Sequence, residues 1–130
     1  MTPDQTHDIT ISLTQDQAQA LGPEAEAMAT WLHSALTAMA RLRTGPAGTD
    51  LDPADLTQPL TDLHTQLLPR LEGIRDSLIR THATAGGTVQ SLATTLNTPR
   101  SSAQYRRETL TKAQPTEWES WATGDTEHDH

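Results

Sequence analysis

The segment Thr88–Leu110, TVQSLATTLNTPRSSAQYRRETL, decides how this chain is read. Val89, Leu92, Ala93 and Leu96 recur at spacings of three and four, so a helix here carries one apolar face. Small Ala93 lets a second helix cross close by. Asn97 then stands where a left-handed backbone is needed, which Asn tolerates better than most non-glycine residues. Thr98-Pro99 restarts the chain, with Thr as N-cap and Pro at the first helical position. On the second helix, Pro99 to Lys112, Ala103 and Leu110 are expected to face inward. Arg100, Ser101, Gln104, Tyr105 and Arg107 are left outside.

This layout resembles the helix-turn-helix DNA-binding domains of bacterial regulators, and more narrowly those of actinobacterial type. The residues that carry the resemblance are Ala93, the turn residue Asn97 and the R-x-x-A-x-x-R run Arg100, Ala103 and Arg106. They span about a fifth of the chain. The sequence departs from the family pattern in having Asn97 where Gly is usual and Thr98 where an aliphatic residue usually packs. Arg106 falls at an often buried position, where an arginine has to snorkel. The resemblance implies double-stranded DNA as partner, a role in transcription regulation and action as a homodimer.

Composition sets the surroundings. The 130 residues fit one domain with appendages, and with no Phe and only Trp31, Tyr105, Trp118 and Trp121 as aromatics the core must be mostly aliphatic. Absence of Cys excludes disulfides and thiolate chemistry. No apolar run approaches the roughly 20 residues that cross a bilayer, and the polar N-terminus MTPDQTHD is not a secretory signal. The expectation is a cytoplasmic protein without a membrane partner.

The net charge of −8 opposes DNA binding, whose affinity comes largely from neutralised phosphates. Its distribution is uneven. Residues 1–69 carry nine acids against Arg41 and Arg43, a balance of −7. Residues 70–112 carry seven bases against Glu72, Asp76 and Glu108, a balance of +4. Residues 113–130 carry five acids and no Lys or Arg. Positive charge gathers on the segment that would use it.

Four regions follow in order. Residues 1–13 form an N-terminal arm or short strand, since Ile9-Thr10-Ile11-Ser12-Leu13 alternates apolar and polar. A lone strand needs a partner, which could be its own copy in a dimer. Strand followed by helix is also the layout of ribbon-helix-helix repressors, but Gly22-Pro23 cuts the next helix after about two turns, so an arm packed on the domain is expected.

Residues 14–84 read as a long helical hairpin and dimerisation region. Thr14 and Gln17 form a capping-box signature. A helix from Pro23 to about Arg43 carries Met28, Leu32, Ala35, Leu36, Met39 and Leu42 on one stripe flanked by Trp31, expected as core. After the loop Thr44–Asp52, the residues Leu56, Leu60, Leu63, Leu67, Leu71, Ile74 and Leu78 recur at helical spacing, fit for a hairpin or a dimer seam. Pro59 and Pro69 mark a helix start and a kink.

Residues 85–122 hold the helix-turn-helix and a closing helix, on which Trp118 and Trp121 share a face as domain cover or as a protein-partner site. Residues 123–130 are an acidic tail expected to be disordered.

The candidate DNA-binding residues are Thr88, Arg100, Ser101, Ser102, Gln104, Tyr105, Arg107 and Lys112. Arg pairs with guanine and Gln with adenine, so Arg100, Ser101, Gln104 and Tyr105 are assigned to base edges. Arg107, Lys112 and Thr88, the last at a helix N-terminus, are assigned to phosphates. No catalytic constellation, phosphate loop, zinc-ligand spacing or cofactor motif is present, and His128-Asp129-His130 lies in a polar tail. The reading is an all-α, non-enzymatic DNA-binding protein. Its rival is a helical protein–protein interaction module built on the leucine stripe and the Trp pair.

Overall fold

The structure, a computed structural model, describes residues 7–44 and 52–124. Every regular element among them is helical, and no strand is formed. The order is α1 (Gln15–Leu21), α2 (Glu24–Thr44), α3 (Pro53–Thr61), a π-helical turn (Asp62–Leu67), α4 (Leu68–Thr84), α5 (Val89–Leu96), α6 (Arg100–Lys112) and α7 (Glu117–Thr123). The all-α class is as expected. The acidic tail from Asp125 onward and most of the loop after α2 lie outside the described residues. No described helix is long and apolar enough to cross a membrane.

Local chemistry sets the starts. Thr14 and Gln17 form the expected capping box at α1. Asp52 caps α3 through the Ala54 amide, with Pro53 as the first helical residue, so Pro53 and not Pro59 opens the helix. Pro59 sits inside α3 instead. Its ring bars the usual helical bond to the Asp55 carbonyl, which accepts from Arg41 at 3.5 Å.

From Pro53 the chain stays helical to Thr84 through the π turn, in which the Leu68 amide reaches back five residues to the Leu63 carbonyl. Pro69, which has no amide hydrogen, follows immediately. The extra residue of a π turn rotates everything downstream by roughly 100°. This rotation splits the leucine stripe beyond the turn, and ahead of it the stripe is already interrupted at Leu60. Leu67 is buried and Leu56, Leu63 and Ile74 are half-buried, but Leu60, Leu71 and Leu78 are exposed. Downstream, α4 makes its contacts with Gly73, Ser77, Ile79 and Arg80 instead.

Two centres hold the C-terminal part. Ile79 of α4, Leu92 and Ala93 of α5 and Ala103 of α6 form the buried core, with Val89, Leu96 and Leu110 packed against it. The second is the seam between α4 and α7. At Gly73 any Cβ would overlap the Trp118 backbone, so only glycine lets α7 lie this close. Buried Glu119 pairs with Arg80, accepts from the Thr116 amide at 3.1 Å and completes a capping box. Arg80 also donates to the Ala113 carbonyl at 3.0 Å, which fixes the chain between α6 and α7. A buried carboxylate is tolerated only with such a full set of partners.

The N-terminal part is built differently. Among the described side chains of α1 and α2 none is buried. The expected core stripe of α2 is corrected here. Its half-buried positions include Met28, Trp31, Ala35 and Ala38, whereas Leu32, Leu36, Met39 and Leu42 are exposed. Residues 9–13 form no strand in the single chain and make no backbone hydrogen bond with any described residue.

Candidate nucleic-acid interface

The turn between α5 and α6 is set by Asn97, which adopts the left-handed conformation at φ 53° and ψ 49°. Its amide donates to Thr94 at 3.2 Å and the Thr98 amide to Ala93 at 3.0 Å. These two bonds satisfy carbonyls that the end of α5 would leave open, in the Schellman arrangement. The next element differs by one residue from the sequence reading. Pro99 is the N-cap, α6 begins at Arg100, and no side chain caps it, so Thr98 does not take that role. Ala103 is 1% exposed and Ala93 3%. Two methyl-sized side chains at the crossing bring α5 and α6 together and fix which side of α6 looks out.

On that outer side Arg100, Ser101, Ser102, Gln104 and Tyr105 are all exposed, Tyr105 at 73%. Lys112 is exposed at the far end of the same helix. Gln104 is engaged locally, its amide donating to Glu108 at 3.0 Å. Thr88 is the N-cap of α5, and its hydroxyl accepts from the Ser91 amide at 3.0 Å. Arg107 is placed apart from the others. It is half-buried and donates to the Gly87 carbonyl at 2.8 Å, bracing α6 against the entrance to α5. A Cβ at Gly87 would overlap the His82 ring, so a larger residue there has to displace that side chain.

Two residues on α6 change the electrostatics. Glu108 is exposed and puts a negative charge beside Gln104. Arg106, at a position expected to be buried, has a 46% exposed side chain and stands 3.9 Å from Asp76. Among the described residues, no ion pair joins the basic segment to the acidic first 69 residues. The positive charge of α6 is therefore not neutralised from within by that half.

The tryptophans make a second feature: the sequence places Trp118 and Trp121 on one face, but nothing in it names Arg70 as the group they share with Trp31. The Arg70 guanidinium lies 4.3 Å from the ring centre of Trp31, 4.6 Å from that of Trp118 and 5.2 Å from that of Trp121. Arg70 also donates to the carbonyl and side chain of Gln66, at 3.1 and 2.9 Å. No described carboxylate pairs with it. Trp121 donates to Glu24 at 2.8 Å, tying α7 to the start of α2. Beside these rings runs an open groove of about 1340 Å³, walled by α1, α2, α4, α7 and the arm. Its ionisable lining residues, Glu24, Glu26 and Glu117, are all acidic. Among the described residues no cluster of His, Asp and Glu has the makings of a metal site.

Comparison of the chain with protein-family models, with curated proteins and with solved structures finds no match to any of them.

Proposed function

We propose that this protein binds double-stranded DNA sequence-specifically, with α6 in the major groove, and acts as a homodimeric transcriptional regulator. One observation carries the reading: a helix pinned from behind by Ala93 and Ala103 holds Arg100, Ser101 and Tyr105 fully on its open side. Arg100 and Ser101 open α6, and Tyr105 follows one turn later, the stretch with which a recognition helix meets base edges. Gln104 joins them by exchanging Glu108 for an adenine edge. Lys112 and the N-terminus of α5 at Thr88 face phosphates. Arg107 serves mainly as a brace, since one of its nitrogens already holds Gly87. Ser102 lies at the flank of the contact.

The test is a selection on a randomised duplex library with the purified protein, followed by a salt titration on the winner. Enrichment of a palindromic sequence with a steep salt slope is the expected result. Arg100→Ala should then cost about 1–3 kcal/mol on the selected site and relax one base position. Equal loss on random DNA would reassign Arg100 to a phosphate. A second reading, a helical protein-interaction module, is favoured by the open apolar groove, and absence of any enrichment would move the function there.

A further inference from the structure

Helix α2 turns the smaller side chains Ala35 and Ala38 toward the chain and leaves Leu32, Leu36 and Met39 exposed by 39%, 39% and 45%. These three lie at i, i+4 and i+7, one continuous line along the helix. Leu32 is also a wall of the 1340 Å³ groove, together with Leu71, Ile11 and Leu13, all of them exposed. With Ile9 and Leu21, they leave eight large apolar side chains exposed on the arm, α1, α2 and α4, the kind of surface that marks an interaction site.

We propose that this face is the contact between two copies of the chain, related by a twofold axis, and that the arms Ile9–Leu13 of the two copies pair as antiparallel strands across it. The arm supports this directly. Its alternating β-branched sequence suits a strand, its backbone has no hydrogen-bond partner among the described residues, and it lies on the groove. Antiparallel pairing with its own copy is self-complementary, as a twofold contact has to be. Paired arms would satisfy the open backbone groups and turn Ile9, Ile11 and Leu13 together onto the apolar face.

Other occupants fit less well. DNA is repelled by Glu24, Glu26 and Glu117. A small ligand needs a few convergent polar groups in a concave site, and the Glu24 carboxylate is already engaged by Trp121. The proposed interface is also not the Leu56–Leu78 seam expected from the sequence, because only Leu71 of its exposed leucines lies on this face. The interface supplies the twofold that the DNA reading asks for, and rests on that reading only for its consequence at an operator.

Sedimentation equilibrium of the full chain without DNA tests it, so failure here leaves the DNA reading standing. The expected mass is twice the 14.2 kDa of the chain at micromolar concentration. A mass of 14.2 kDa throughout the concentration range overturns the proposal. The double variant Leu36→Glu with Met39→Glu should be monomeric with unchanged far-UV circular dichroism, because both positions are exposed. Leu60→Glu, exposed on α3 and neither on the α2 line nor a wall of the groove, should stay dimeric. If the double variant still dimerises, or Leu60→Glu alone abolishes the dimer, the interface lies elsewhere. Ile11→Pro removes an amide from the arm and should weaken association at least about tenfold. Unchanged association would remove strand pairing from the proposal.

Discussion

The unit from α4 to α6 and the unit from α1 to α2 are made of the same kinds of residue and reach opposite ends. In the first, Ile79, Leu92, Ala93 and Ala103 are 4% exposed or less. In the second no described side chain is buried, and Leu32 and Leu36 are exposed while Ala35 and Ala38 are half-buried. Helix amphipathicity is present in both, so the pattern alone does not complete a core. Small residues at a crossing do complete one, because they let two helices share a single layer of side chains. The α5–α6 pair is finished within one chain. The α1–α2 face is left open within the chain, with Leu32, Leu36 and Met39 exposed.

The comparison is broken most severely by paired truncations. Leu92→Ala should cost about 3 kcal/mol, since it leaves a cavity in the closed core. Leu36→Ala should leave the stability of the isolated monomer within about 0.5 kcal/mol, and act on its concentration dependence instead. Denaturant titrations at two protein concentrations read both values. Equal costs at low concentration would mean that the two regions do not differ.

The joint between the regions gives the next effect. Arg70 meets Trp31 from α2 and Trp118 and Trp121 from α7, so one cation is shared by both halves. Three such contacts, each worth about 0.5–1 kcal/mol, give Arg70→Ala an expected cost of about 2 kcal/mol. Tryptophan emission should change at the same time, because every tryptophan of the chain lies against this guanidinium. Unaltered emission and stability would show that the halves are joined by the packing of α2 on the π turn and by the Trp121–Glu24 bond without help from Arg70.

The smallest effect sharpens the turn. Asn97→Ala forces an ordinary side chain into the left-handed region and should cost about 1 kcal/mol. Asn97→Gly should be neutral or mildly stabilising, as thermal unfolding would show. A neutral alanine would mean that the turn is held by packing at Ala93 and Ala103 rather than by its own backbone.

Much of this was legible along the chain. The α5–α6 unit was readable because its determinants are local: an apolar face at helical spacing, Asn at a left-handed turn and alanines where helices cross. The cap at Thr14 was equally local, whereas Thr88, read only as a phosphate contact, is the N-cap of α5. The closing-helix cap was also visible in principle, as Thr116 followed three residues later by Glu119, the same signature as Thr14 and Gln17. The start of α6 was misplaced by one residue, since Thr98-Pro99 satisfies two capping schemes and the backbone chose Pro99 as N-cap.

Sequence by itself determined the helices, the sharp turn and the charge gathered on residues 70–112, because propensity, capping and charge count act over a few residues. Tertiary structure decided which apolar stripes are buried. The π turn ahead of Pro69 rotates one stripe away from its expected partners, and α2 places Ala35 and Ala38 inward, so periodicity names a face without naming its direction. It also decided the roles of the arginines. Arg70, Arg80 and Arg107 are alike in sequence, but they meet tryptophan rings, a buried carboxylate and a backbone carbonyl, since those partners arrive from 20 to 51 residues away.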